Sequence, residues 1–87
     1  MEYYYIAVFK SRTQTMKFYD KLKKSRLEVS VINTPRQASL GCGLSVKFLY
    51  KDLNVVKRLL VLENYYSFGG IFCVSGCGST LNIRPQS

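Results

Sequence analysis

The first chemistry this sequence offers is a thiol set between two glycines. Cys42 stands between Gly41 and Gly43, in the stretch Asn33-Thr-Pro-Arg-Gln-Ala-Ser-Leu-Gly-Cys-Gly-Leu-Ser45. Pro35 fixes its own φ and holds Thr34 extended. The two glycines allow the backbone on either side of the sulfur to take φ > 0 or to lie close against a ligand. With so little steric cover, the Cys42 sulfur is expected to be reachable. Arg36 supplies a nearby positive charge. A thiolate in such a setting can attack a sulfur centre or carry a group. The competing structural interpretation is a tight glycine-rich connection that holds a small apolar residue.

The other residue types narrow the chemistry. The chain has no histidine, which removes imidazole bases, Cys–His and Ser–His dyads, and histidine metal sites. It has three cysteines, at 42, 73 and 77. An odd count does not suit a secreted disulfide scaffold, so free thiols in a reducing cytoplasm are expected. Cys73-x-x-x-Cys77 lacks partners for zinc, and neither a metal nor a cofactor is expected. Cys73 reads as a small core residue. Cys77 is expected at the opposite edge of the sheet from Cys42, too far for a disulfide within one chain. With few carboxylates and no phosphate-binding motif, a turnover enzyme is disfavoured.

The chain of 87 residues allows one domain. Its core is expected over about 3–76, with 77–87 as a polar tail. Hydrophobic residues at 47% and charged residues at 21% indicate a folded globular chain. Thirteen Lys and Arg against five Asp and Glu give +8, a balance that attracts nucleic acid, an anionic surface or an acidic protein. The apolar run at 3–9 is too short for a signal core or a membrane span.

The elements that must position Cys42 follow from periodicity. Residues 3–9 read as a strand with two apolar faces, hence central. Ser11 or Thr13 caps a helix to about Ser25, with Met16, Tyr19 and Leu22 on one face. Residues 28–33 alternate as an edge strand, and 44–50 form a third strand. Asp52 caps a second helix to about Asn64, stopped by Gly69-Gly70. Residues 71–75 form a fourth strand, and Leu81 and Ile83 alternate enough for a short fifth.

The order β-α-β-β-α-β predicts an α+β, ferredoxin-like split β-α-β fold: one antiparallel sheet, strand order four-one-three-two, both helices on one face. That topology brings the start of the third strand, and so Cys42, to the exit of the first. Lys10, Ser11, Arg12 and Thr13 lie there, at a helix N-terminus with unpaired N–H groups and a positive dipole end. Such surroundings lower a thiol pKa and suit a small oxyanion.

The segment Asn33-Thr-Pro35-Arg36 through Ser39-Leu-Gly-Cys42-Gly43-Leu44-Ser45 resembles a family of small bacterial proteins described as selenium/sulfur carrier protein-like. The likeness extends over about residues 3–66: an opening Tyr-x-Ala/Ile-Val-Phe strand, a helix, a strand ending near Pro-Arg, then a Cys-Gly turn. It implies that Cys42 takes up sulfur or selenium as a persulfide-type adduct and hands it on. Arg36 and Gly43 match the same motif. A cysteine desulfurase or another sulfur- or selenium-transfer protein is the implied partner.

Two other functions fit the residues. A nucleic-acid module would stack bases on Tyr3, Tyr5 and Phe9, with Lys47 and the net charge for phosphates. Residues 44–50 lack the aromatic-glycine signature of the RNA-recognition motif. A non-catalytic interaction domain would use the outward aromatics of the first strand as a homodimer interface across an open sheet face. A homodimer is expected, and it can coexist with carrier function.

Overall fold

The computed structural model describes residues 3–38, 43–75 and 82–86; for Gln37 and 82–86 only the backbone is described. Its elements are β1 (Tyr3–Phe9), α1 (Arg12–Lys24), β2 (Ser30–Asn33), β3 (Leu44–Phe48), α2 (Leu53–Glu63), β4 (Phe68–Ser75) and β5 (Asn82–Gln86). Two 3₁₀ turns, Arg36–Ala38 and Tyr50–Asp52, flank β3. The strands form one antiparallel sheet in the order β2-β3-β1-β4-β5. The fold is therefore α+β, with the expected order of the first four strands. The fifth strand lies within the expected tail and pairs with β4. Its Pro85 has no N–H to donate, which suits an edge position.

β1 sits at the centre because both of its faces are apolar. Tyr5, Ala7 and Phe9 point to one side, where Phe18 and Leu22 of α1 and Val56 and Leu60 of α2 complete a single cluster with Val46, Phe48 and Ile71. Both helices thus cover one face. Ile6 and Val8 point to the other side and meet Val74 and Ala38. Ala38 belongs to the β2–β3 connection, so that loop closes the centre of the helix-free face. The chain's own turn thus covers the middle of the face expected for a dimer of sheets, and Tyr4, Ile32 and Phe72 beside it are half-buried.

Several local expectations are corrected. α1 buries Thr15, Phe18 and Leu22, while Met16 is exposed. Thr15 tolerates burial because its hydroxyl donates to the Ser11 carbonyl at 3.0 Å. β2 begins at Ser30, and β3 ends at Phe48, where the second 3₁₀ turn starts. Asp52 occupies the cap position of α2, yet its side chain makes no capping bond; it is buried and its Oδ2 has no hydrogen-bond partner. α2 stops at Asn64, whose φ of 51° is left-handed and whose N–H returns to the Leu60 carbonyl. Asparagine tolerates that conformation almost as glycine does. Gly69-Gly70 lie instead in β4, where pairing slips between Val8↔Gly70 and Phe9↔Phe68. Gly69 is the extra residue of this β-bulge, and Gly70 takes φ +131°.

Candidate functional site

The β2–β3 connection is fastened at its ends. The Thr34 N–H donates to the Gly43 carbonyl at 2.9 Å, and the Thr34 and Ser45 hydroxyls meet at 2.5 Å. Between them the Ala38 N–H closes onto the Pro35 carbonyl at 3.0 Å. Gly43 takes φ +79°, and nothing lies within 4 Å of an added Cβ. Backbone conformation, not crowding, is therefore what calls for glycine there. Gly41 and Cys42 lie outside the described residues, as does Cys77.

Pairing of Val8 with Ser45 puts the start of β3 at the end of the sheet where β1 leaves. Gly43 and the segment Lys10–Thr13 thus share that end. Lys10, Arg12 and Thr13 are exposed, and Ser11 is half-buried. Arg36 is also exposed, on the turn whose Ala38 rests against the helix-free face. Its turn and α1 therefore lie on opposite faces of the sheet.

The mouth of α1 is already partly furnished with partners. The Ser11 hydroxyl accepts from the Gln14 N–H at 3.2 Å, an N-cap bond. Ser67, arriving just before β4, adds a second layer. Its carbonyl accepts from the Lys10 N–H at 2.8 Å, and its hydroxyl accepts from the Ser11 N–H at 3.2 Å. Its own N–H and hydroxyl donate to Gln14 Oε1 at 3.0 and 2.5 Å. These contacts fix the orientation of α1 against the sheet. Ser67→Ala is expected to lower stability by about 1–2 kcal/mol, because it removes the partners of the partly buried Ser11 N–H and of Gln14 Oε1. Thr13→Ala, at an exposed position, should stay within about 0.5 kcal/mol. Parallel urea melts of the two variants check the difference.

Sequence patterns gave no hint of Ser67 or Gln14 in this role, since the partners are more than fifty positions apart in the chain. A second cluster was also missed. Tyr3, Tyr5 and Tyr50 form an aromatic group with ring centroids 5.8–6.4 Å apart, and Tyr5 stacks on Phe48 at 5.8 Å. Cys73, a half-buried free thiol, is paired with Tyr5 across β1 and β4. Burial first, then the neighbouring Cys73, Tyr3 and Tyr50, pushes the Tyr5 hydroxyl pKa up. Burial alone does the same to Tyr65.

The stacking surface expected for nucleic acid is not available. Tyr5 and Phe9 are buried beneath the helices; only Tyr3 of that trio is exposed. Lys47 instead lies 4.6 Å above the ring of Tyr4, on the other face. Among the described residues no group of His, Cys, Asp and Glu could hold a metal, and no helix is long and apolar enough to cross a membrane.

No curated protein and no solved structure matches the chain. One family does, described as "Putative Se/S carrier protein-like", and its match spans residues 4–73, including the β2–β3 connection with its cysteine. On that span, most of its length, the chain belongs to the Se/S carrier protein-like family.

Proposed function

We propose that this protein carries sulfur or selenium on Cys42. The observation that carries the proposal is membership of a carrier-like family over a span that contains Cys42 and both fastened ends of its loop. The chemistry needs only a thiolate and a partner. The Cys42 thiolate attacks the outer sulfur of a donor persulfide. The donor's S–S bond breaks, its electron pair leaves as the donor thiolate, and Cys42 becomes the persulfide. In delivery an acceptor nucleophile attacks that outer sulfur, and Cys42 leaves as the thiolate. Both steps are exchanges, so no external oxidant or reductant is consumed. Positive charge at this end of the sheet, from Lys10 and Arg12 on the helix side and Arg36 on the other, favours the thiolate over the thiol. A cysteine desulfurase, or another sulfur- or selenium-transfer protein, is the donor such chemistry requires. A reducing, cytoplasmic setting keeps the thiol available.

Incubation with a cysteine desulfurase and free cysteine, followed by mass spectrometry of the intact chain and its peptides, tests this. The expected result is one added sulfur atom on the Cys42 peptide, lost with Cys42→Ser. Loading confined to Cys73 or Cys77, or no loading at all, would end the proposal.

A further inference from the structure

α2 breaks the rule that a surface helix turns polar residues to water. Val56 and Leu60 face the core, with Leu53 and Leu59 packed beside them. Helical periodicity then puts Asn54, Val55, Arg58, Val61 and Leu62 on the opposite side. Val61 is 78% exposed and Leu62 71%, with Val55 at 39%. α1 shows the ordinary pattern, with Arg12, Thr13, Lys17, Asp20 and Lys24 outward. A helix apolar on both sides is one that something covers.

Charge identifies the kind of cover. The ionisable residues of α2 are Lys57, Arg58 and Glu63, and Glu63 is engaged in an ion pair with Lys21 of α1. Beside that pair lies a groove of about 420 Å³, lined by Lys17, Lys21 and Lys24 together with Asp20 and Tyr65. The apolar face thus has a guanidinium at its middle, and a groove rich in ammonium groups meets the C-terminal end of α2 at Glu63. A second copy is a poor fit. Antiparallel packing of α2 on α2 about a two-fold axis would centre on Arg58, the midpoint of Leu53–Glu63, and set two guanidiniums against each other.

We propose that the outer face of α2 docks an acidic amphipathic segment of a partner protein, its apolar stripe on Val55, Val61 and Leu62 and its carboxylates toward Arg58 and the lysine-lined groove. Docking of this kind is helix-in-groove recognition with a charged rim. It does not depend on what Cys42 carries.

Fluorescence anisotropy with a labelled helical peptide, leucines along one stripe and glutamates around it, tests the proposal. The expected result is saturable binding, weakened about ten-fold by Leu62→Gln and by Arg58→Gln, a larger loss than most interface positions show on truncation. A scrambled peptide of the same composition should bind at least about ten-fold more weakly, because it keeps the charge and loses the stripe. Both substitutions are at solvent-facing positions, so the melting curve should stay put. Equal binding of the two peptides, or indifference to Leu62→Gln, would reduce the interaction to charge attraction and overturn the proposal. So would sedimentation equilibrium showing a peptide-free dimer that Leu62→Gln dissolves, since the occupant would then be a second copy.

Discussion

Phe18→Ala is expected to destabilise the domain by about 3–5 kcal/mol, the range for truncating a buried aromatic. Phe18 is fully buried, and its ring meets Phe9 at 5.5 Å and Tyr65 at 5.3 Å. It is a side chain of α1 that touches both the centre of the sheet and the α2–β4 connection. Domains of this size rarely hold more than about 5–15 kcal/mol in total. The loss should therefore leave a fold near its threshold, seen as a large drop in the urea midpoint with little change in slope. Met16→Ala, on the exposed side of the same helix, should shift the midpoint by no more than about 0.5 kcal/mol. Equal effects at the two positions would mean that α1 is rotated from the orientation described.

Ile6→Lys is expected to abolish cooperative folding. Ile6 is fully buried on the helix-free face with Val8, Val74 and Ala38. A lysine there must bury its ammonium without a partner or push the β2–β3 connection away; either exceeds about 4 kcal/mol, the severe end of single substitutions. Tyr3→Lys, at 49% exposure on the same strand, should cost only its edge contacts with Tyr5 and Tyr50, about 1–2 kcal/mol, and leave folding cooperative. Thermal denaturation followed by circular dichroism separates the two outcomes. A well-folded Ile6→Lys protein would show that this face is open, as a sheet-on-sheet dimer requires.

Much of this architecture was legible in the chain because its signals are local and agree with one another. The apolar run of β1 on both faces demanded a central position, and the alternation of β2 suited an edge. Failures came where two residues answer the same physical demand. Gly69-Gly70 resembled a helix stop, but Asn64 already supplied the left-handed residue, which left the glycines for a bulge. Met16 outranks Thr15 in hydrophobicity, yet the Phe18–Leu22 pair fixes which way α1 faces, and Thr15 satisfies its hydroxyl within the helix. The connection's position over the sheet had no local signature at all, because Ala38 meets Ile6 and Val8 only after the strands have paired. For the candidate site, the shared end of β1 and β3 followed from topology. The Ser67–Gln14–Ser11 network did not, since hydroxyls and amides so far apart in sequence leave no periodic trace.

The two margins of the sheet differ in what they would permit a foreign chain to do. Along β5, Pro85 interrupts the row of donors with which an incoming strand would have to register. Along β2 only Ser30–Asn33 is available, a template four residues long. Neither border offers the long, regular ladder from which fibrils grow. Among the described residues, association through the uncovered apolar helix face would therefore have to proceed by side-chain contact, since an incoming strand meets a poor template at either border.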